Sequence, residues 1–264
     1  MEVNKAELKI VLIGAGNLAT NLGKALHRTG YCIAQVYSRT VEAAFALSKE
    51  IGAEPIASFE AMTTQADLYI VSLKDSAFVE LIPQITAGRE KAFFIHTAGS
   101  ISMDIWKGYA KNYGVFYPMQ TFSKLREVDF NEIPCFLEAG TDKDLQNLKS
   151  LAYSLSNKVY EADSEQRKYL HLAAVFACNF TNHMYVLSEK LLDEHGFPFE
   201  IMLPLIDETA RKVHELPPLE AQTGPAIRYD ENVIRKQLDL LADKPEWQEL
   251  YKQISQSIHT NKYD

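Results

Sequence analysis

The sequence lacks the patterns that mark secreted and membrane proteins. It has three cysteines, Cys32, Cys135 and Cys178, and their odd number and lack of C-x-x-C spacing indicate free thiols in a reducing compartment. No run of about 18 apolar residues is present, so no membrane span is expected. The first nine residues are charged and carry no signal-peptide core, and we therefore expect a cytoplasmic protein.

Positive charge is also scarce. The 264 residues include 27 Lys and Arg against 35 Asp and Glu, and the resulting net charge of −8 argues against a nucleic-acid-binding surface. Apolar residues make up 47% of the chain, which is enough for a folded core and excludes a disordered or collagen-like protein. We predict no metal site.

What the sequence does contain, over residues 1–162, is an alternation of short apolar strands and helices. The predicted strands are 8–13, 31–37, 56–57, 68–73, 92–97, 113–117, 134–138 and 158–161, and the predicted helices are 17–28, 41–51, 77–85 and 142–155. Continuous apolar runs indicate strands that are buried on both faces, as in a parallel sheet covered by helices. We therefore predict an α/β domain with a doubly wound, mostly parallel sheet.

Residues 163–264 have the pattern of helices alone. No Gly or Pro occurs from Asp163 to His195, and Gly196 supplies a stop, which predicts one helix of about 30 residues. Further helices are predicted at 201–216, 232–242 and 246–257. The chain is thus expected to divide into an α/β domain, 1–162, and an all-α domain, 163–264.

A glycine-rich turn follows the first strand. Residues 14–19 form the pattern G-x-G-x-x-A between a strand and a helix. Gly14 permits a tight turn, and Gly16 lets the backbone approach a pyrophosphate. The helix that begins at Asn17 and Leu18 offers free N–H groups and a positive dipole end. This arrangement is typical of a Rossmann domain that binds a dinucleotide.

The end of the second strand predicts which dinucleotide is bound. Sites for NAD place an acidic residue there to bind the ribose 2′-hydroxyl. This chain has Ser38, Arg39 and Thr40 instead, and no acid lies between Glu7 and Glu42. Arg39 can pair with a 2′-phosphate and the two hydroxyls can donate to it, so we predict NADP(H) as cofactor, with NADPH preferred over NADH.

Polar residues also follow the other strands, at the edge where ligands of open α/β sheets bind. The segment of Ser72, Leu73 and Lys74 is expected to pass close to the ribose and pyrophosphate. His96 ends the next strand, and Gln120 follows a later one, so both are candidates for contact with a substrate. The alternative for His96 is a structural histidine that holds its loop.

The long helix carries a second set of polar residues in an apolar surrounding: Lys168, His171, Asn179, Asn182 and His183. Lys168 precedes His171 by three residues and Asn182 follows it by eleven, about three turns, so the spacing predicts a shared face. Such a polar stripe faces either solvent or a wet cleft. The apolar neighbours favour the cleft.

These motifs together resemble the Rossmann-like NADP oxidoreductases that carry a C-terminal domain of unknown function. The resemblance rests on residues 14–19, 38–39, 96–100, 117–122 and 171–174, and most specifically on 223–230, T-G-P-A-I-R-Y-D, which is similar to the family signature T-G-P-x-x-R-G-D. Two positions depart from the family. Tyr117 stands where the family often has His, and Tyr229 stands where it often has Gly, so a tight-turn role there is in doubt.

The wider resemblance is to the 6-phosphogluconate dehydrogenase-like superfamily, which includes ketopantoate reductase and pyrroline-5-carboxylate reductase. It implies that the helical domain covers the nicotinamide, contributes His171 and Lys168 to catalysis, and forms a homodimer. The Lys and Asn pair of the β-hydroxyacid dehydrogenases is absent, because Leu172 stands four residues after Lys168.

The sequence therefore leads to the hypothesis of hydride transfer between NADPH and a small carbonyl or imine substrate. His171 would donate the proton, because an imidazole can exchange one near neutral pH. Lys168 would stabilise negative charge or bind a substrate carboxylate, and His96, Gln120 and Asn179 would orient the substrate. Two alternatives stay open. One is a non-catalytic NADP(H) sensor, with 223–230 as an interaction loop, and the other is a deazaflavin-dependent NADP reductase.

Overall fold

The continuous apolar runs of the first part of the chain form a single eight-stranded sheet. The computed structural model describes residues 5–260. Its strands are β1 (Lys9–Ile13), β2 (Cys32–Tyr37), β3 (Glu54–Ile56), β4 (Leu68–Val71), β5 (Phe93–His96), β6 (Asn112–Pro118), β7 (Cys135–Ala139) and β8 (Val159–Glu161). They lie in the order β3-β2-β1-β4-β5-β6-β7-β8, with the first six parallel to one another. The predicted doubly wound, mostly parallel sheet is confirmed.

Apolar side chains cover both faces of this sheet. Ile10 and Leu12 belong to one buried cluster, whereas Val11 and Ile13 belong to another. Successive residues of a strand point to opposite faces, so this alternation puts one cluster on each side. The covering helices are α1 (Asn17–Arg28), α2 (Val41–Ile51), α3 (Asp75–Thr86) and α4 (Asp142–Tyr153).

The last two strands run in the opposite direction. β7 pairs antiparallel with β6, and β8 pairs parallel with β7. The carboxyl ends of β1, β4, β5 and β6 therefore share one edge of the sheet, while β8 runs away from that edge. The chain then turns into α5 (Ser164–Ala174), whose first turn is closed by a reciprocal capping box between Asp163 and Gln166.

The long helix predicted from Asp163 to His195 is present but irregular. α5 passes into a π-helical turn, Val175–Phe180, and then into α6 (Thr181–Asp193). Inside the π turn each hydrogen bond spans five residues instead of four. Residues after the turn therefore do not keep the helical phase of residues before it.

The remaining helices follow the sequence pattern with two additions. They are α7 (Leu203–Glu215), α8 (Pro218–Ala221), α9 (Pro225–Arg228), α10 (Glu231–Asp239) and α11 (Pro245–Thr260). The short helices α8 and α9 were not predicted, because each is a single turn that begins at a proline. Within residues 5–260, none of the helices is both long and apolar enough to cross a membrane.

By packing, the chain divides into two compact units between His183 and Met184. The α/β elements end at Glu161, close to the predicted domain boundary at residue 162, but the first turns of the long helix belong to the first unit. A division of the domains at residue 162 stays a prediction.

Candidate active site

The glycine-rich turn after β1 is built around one very close contact. Gly14 has φ of +124°, and a Cβ atom at this residue would lie 2.3 Å from the carbonyl oxygen of Ser72. The Gly14 N–H donates to the Tyr37 carbonyl at 2.8 Å, and the Ser72 N–H donates to the Ile13 carbonyl at 2.8 Å. The turns after β1, β2 and β4 are thus joined, and only glycine fits at their meeting point.

Gly16 lies in open space instead. It is the N-cap residue of α1, and a Cβ atom built on it would meet no heavy atom within 4 Å. No acidic residue occupies the first turn of α1. Asn17 is exposed and Leu18 packs partly against the core, so the backbone N–H groups at the start of this helix are accessible. The residues present fit a pyrophosphate group, as the sequence predicts.

The residues after β2 form the next part of this edge. The Ser38 hydroxyl accepts a hydrogen bond from the Thr40 N–H at 3.2 Å, and Thr40 is the N-cap residue of α2. Arg39 is exposed between them. Burial raises the pKa of Tyr37, and the nearby Arg39 guanidinium partly opposes that increase. An exposed cation beside a helix N-terminus is suited to a 2′-phosphate.

The segment after β4 continues along the same edge. The Ser72 hydroxyl accepts from the Thr97 hydroxyl at 3.1 Å, and Leu73 packs partly against the core. Lys74 is exposed at the N-cap position of α3. Its ammonium group is therefore accessible to a phosphate, whereas Ser72 and Leu73 form the more buried part of this edge.

The side chain of His96, the last residue of β5, is buried beneath this edge, which argues against its predicted contact with a substrate. Its side chain is 0% exposed and lies among the rings of Phe78 and Trp106. Burial lowers its pKa to about 3, with a further contribution from the Arg167 cation. Nδ1 accepts from the Ala98 N–H at 3.2 Å. His96 is a neutral histidine that holds its loop, the alternative left open by the sequence.

His171 lies at the wall of an accessible cavity, which we call the His171 pocket. Its Nδ1 atom is 3.0 Å from the hydroxyl of Tyr117, which lies near the end of β6. The pocket has a volume of about 330 Å³. Its walls are formed by the residues after β6 and by one side of the long helix: Tyr117, Met119, Gln120, Thr121, Leu170, His171, Ala173, Ala174, Ala177, Cys178 and Asn179. Gln120 and Asn179 both line this pocket, and their contact with a substrate stays a prediction.

A glycine allows the long helix to approach this closely. A Cβ atom on Gly99 would lie 2.8 Å from Cβ, Cγ and Nδ1 of His171. Gly99 belongs to the loop after β5, so this contact locates the imidazole at the carboxyl edge of the sheet. Gly99 and Tyr117 are the two positioning contacts that the sequence did not identify as such.

Lys168, for which the sequence predicts a catalytic role, does not line the His171 pocket. Its ammonium group pairs with Glu165 at 2.5 Å, and its side chain is 46% exposed. The buried cation is the preceding residue, Arg167, whose side chain is 1% exposed. It pairs with Glu138 on β7 and donates to the Ile101 carbonyl at 2.6 Å. Arg167 therefore anchors the start of α5 to the sheet.

The π turn explains why Asn182 does not accompany His171. The predicted shared face assumed an uninterrupted α-helix, but the π turn between the two residues changes the phase. Asn179 inside the turn lines the pocket, whereas Asn182 is exposed and does not. Residue types alone do not signal a π turn, although such turns are frequent at functional sites.

The T-G-P segment lies in the second compact unit. Gly224 has φ of +105°, and Tyr229 has φ of +51°, a left-handed conformation that favours glycine. The tight turn therefore exists although tyrosine occupies it. The Asp230 carboxylate caps α10 by accepting from the Val233 N–H at 3.3 Å. Thr223 and Pro225 also line a separate apolar cavity of about 440 Å³ within this unit.

Comparisons with known proteins identify two matching family descriptions. Residues 9–98 match the family described as NADP oxidoreductase coenzyme F420-dependent. Residues 133–258 match a domain of unknown function, DUF2520. No curated protein matches the chain.

Solved structures extend the similarity to the whole chain. The crystal structure of the putative NADP oxidoreductase BF3122 from Bacteroides fragilis has 62% sequence identity and a TM-score of 0.93, and the match covers 96% of this chain and 98% of that one. An imine reductase from Myxococcus stipitatus in complex with NADP+ has 15% identity and a TM-score of 0.65, with 96% and 92% covered. A pyrroline-5-carboxylate reductase from Coxiella burnetii has 16% identity and a TM-score of 0.57, with 96% and 97% covered. The last two show a shared fold.

Proposed function

This chain belongs to the NADP oxidoreductase family, and we propose that it transfers a hydride between NADPH and a small carbonyl or imine compound. Membership follows from the 62% identity over nearly the full length of both chains. NADP(H) is the cofactor, and NADPH supplies the hydride when it is bound. The substrate class is supported by the imine and pyrroline-5-carboxylate reductases among the proteins of the same fold.

The residues after β1 and β2 are proposed to bind the phosphates. The N–H groups of Asn17 and Leu18 would bind the pyrophosphate, and Lys74 would approach it from the start of α3. Arg39, with the hydroxyls of Ser38 and Thr40, would bind the 2′-phosphate.

Replacing Arg39 by serine tests the second part of this assignment. Hydrogen bonds to charged groups contribute about 1.5–3 kcal/mol, so Arg39→Ser should weaken NADPH binding by roughly 10- to 100-fold. Binding of NADH, which has no 2′-phosphate, should stay within about twofold. Both constants can be measured by fluorescence titration at fixed ionic strength, because phosphate contacts are sensitive to salt. An equal loss for both cofactors would contradict the assignment.

The observation that carries the proposed chemistry is the hydrogen bond between Tyr117 and His171 at the pocket wall. Both groups can exchange a proton, and both line a cavity at the carboxyl edge of the sheet. The same edge holds the glycine-rich turn, residues 14–19, which we call the phosphate turn. In reduction, the pair would protonate the developing alkoxide or amine. A non-catalytic sensor needs no proton donor at this wall, so the pair favours an enzyme.

A substrate panel monitored by NADPH absorbance tests this function. The panel contains aldehydes, ketones, cyclic imines, keto acids and a deazaflavin, the last because of the family description that matches residues 9–98. With the best substrate, His171→Ala should lower kcat by about 10²- to 10⁴-fold. Lys168→Ala is the matched control on the same helix and should change kcat less than about twofold, because Lys168 does not line the pocket. A loss below about tenfold in the His171 variant would show that the proton comes from elsewhere.

We also propose that the protein is a homodimer formed through its helical part. Four large apolar side chains spaced three or four residues apart are exposed along the long helix: Tyr169, Leu172, Phe176 and Phe180. Contiguous exposed apolar side chains often mark an interface. Sedimentation equilibrium should give twice the chain mass, and Phe176→Glu should shift it towards the monomer. A cytoplasmic location is proposed from the free cysteines.

A further inference from the structure

The walls of the His171 pocket carry no fixed charge. Five of its side chains are aliphatic or thioether groups, namely Met119, Leu170, Ala173, Ala174 and Ala177. Its polar groups are a phenol, an imidazole, two amides, a hydroxyl and a thiol. Within the described residues, neither a Lys or Arg nor an Asp or Glu lines this cavity.

The nearest basic residues on the helix are both engaged elsewhere. Arg167 lies under the wall, and its guanidinium is occupied by the Glu138 carboxylate and the Ile101 carbonyl. Lys168 is at the surface and pairs with Glu165. Neither can serve as the counter-ion of a carboxylate in the pocket.

A neighbouring cavity that shares Gln120 and Thr121 does not supply a counter-ion for a carboxylate either. It contains Arg126 but also three acids, Glu127, Asp129 and Glu132. Its net charge is therefore negative, and it would repel a substrate carboxylate.

His171 is the one remaining group of the wall that could carry a positive charge. Its Nδ1 atom already shares a hydrogen bond with Tyr117. In the proposed function His171 gives a proton to the substrate, so it does not remain as the counter-ion of a carboxylate.

From these observations we propose that the substrate is an uncharged, largely apolar carbonyl or imine compound and not a keto acid or an imino acid. This inference rests on the proposed function, which itself leaves the charge of the substrate open. The cavity is open, and a bound cofactor would cover part of it. A carboxylate held there beside the cofactor would lose hydration and gain no counter-ion, which makes its binding unfavourable. The volume of about 330 Å³ lies near the lower end for small-molecule sites. The substrate is therefore small as well as uncharged.

Matched pairs of substrates test the inference at pH 8. One pair is 1-pyrroline and 1-pyrroline-5-carboxylate, and the other is butan-2-one and 2-oxobutanoate. For each pair, kcat/KM of the uncharged member should exceed that of the carboxylated member by at least about 100-fold, because the pocket leaves the charge unpaired. Equal values, or a preference for the carboxylated member, would overturn the inference and leave the proposed function intact.

Adding a cation to the pocket wall tests the same inference independently. Ala177→Lys adds an ammonium group to the wall, and Ala177→Met adds a side chain of similar length without charge. The lysine variant should use the carboxylated members at least about tenfold better than the methionine variant, because a charge-assisted pair becomes available. The absence of any gain would contradict the reasoning that a missing cation excludes carboxylates.

Binding separates this inference from the proposed function. If no compound of either pair is reduced, the proposed function is wrong for these substrates. Calorimetry of cyclopentanone and cyclopentanecarboxylate with the NADP-loaded protein then decides the remaining question. Tighter binding of the ketone supports an uncharged ligand, whereas tighter binding of the carboxylate, or binding of neither, overturns it.

Discussion

Replacing Gly99 by alanine tests how closely the position of His171 controls turnover. The backbone of Gly99 does not need a glycine conformation, because a positive φ is absent at this residue. The only obstacle to alanine is the helix itself, since the new Cβ atom would lie 2.8 Å from Cβ, Cγ and Nδ1 of His171. Rotation of the imidazole removes the contacts with Cγ and Nδ1 but leaves the contact with Cβ.

The size of the displacement follows from the contact distance. Ordinary contacts of a Cβ atom begin near 3.4 Å, so the loop or the helix must move by about 0.6 Å. Overpacking of this kind costs about 1–3 kcal/mol of stability. A misplacement of about 1 Å can lower a rate by 10²-fold, and we therefore expect kcat to fall by roughly 10- to 100-fold.

The assay compares kcat of the wild type and Gly99→Ala for the best substrate of the panel. The dissociation constant of NADPH should change less than about twofold, because the phosphate turn is unaffected. Imidazole NMR signals supply a readout without substrate, since the His171 resonances should move when the bond to Tyr117 is altered. A folded variant with shifted His171 signals and full kcat would refute the argument that this imidazole donates the proton.

Three further predictions concern other parts of the first unit. Gly16→Ala should leave the free energy of unfolding within about 0.5 kcal/mol of the wild-type value, because no heavy atom lies within 4 Å of the new Cβ. NADPH binding, measured by titration, should nevertheless weaken at least about tenfold, since the methyl group obstructs the approach of the pyrophosphate. Arg167→Met should cost about 3–5 kcal/mol in denaturant unfolding, because it leaves the largely buried Glu138 carboxylate without a counter-ion and with the Ser164 hydroxyl as its donor. Lys168→Met should cost less than about 1 kcal/mol, because this ion pair is exposed. Equal costs for the two variants would contradict this difference in burial. The pKa of His96 is lowered to about 3 in the folded protein, so the unfolded chain binds a proton first as the pH falls, and stability should decrease from about pH 6.5 downwards by up to about 1.4 kcal/mol per unit. Denaturation at several pH values should show this slope, and a slope unchanged in His96→Asn would refute its origin.

The phosphate turn could be predicted because its features are local. Gly14 and Gly16 lie between an apolar strand and a helix, and the strand directions follow from continuous apolar runs. The same reasoning locates the carboxyl edge of the sheet and predicts that Gln120 lies there, where it lines the His171 pocket. Local sequence was sufficient wherever one turn and its two flanking elements define the geometry.

The choice between Arg167 and Lys168 was beyond the sequence. At about 100° per residue, Arg167 lies some 40° from His171 on one side of the helix and Lys168 some 60° on the other. Both are basic, and helical spacing does not say which side packs on the sheet. Glu138, 29 positions away in sequence, decides it by pairing with Arg167.

The misassignment of His96 has a similar cause. Its position at the end of a strand predicted exposure, but alternation puts its side chain on the same face as Phe94. That face is covered by Phe78 and Trp106, which come from elements before and after β5. The burial of a side chain at the end of a strand depends on such neighbours, and the identity of the residue does not predict it.

The reversed direction of β7 and β8 determines which part of the long helix lies at the His171 pocket: its N-terminus or a side chain from its middle. Had these strands run parallel to β6, the chain would have left the sheet at the carboxyl edge, and the dipole end of α5 would have faced the cavity. Because β8 runs away from that edge, the helix must return to it, and His171 arrives about two turns after Ser164. The free N–H groups of a helix N-terminus and the side chain of His171 therefore lie on different helices. In the proposed function, the N-terminus of α1 binds the negatively charged pyrophosphate, whereas a side chain in the middle of the long helix, His171, donates the proton.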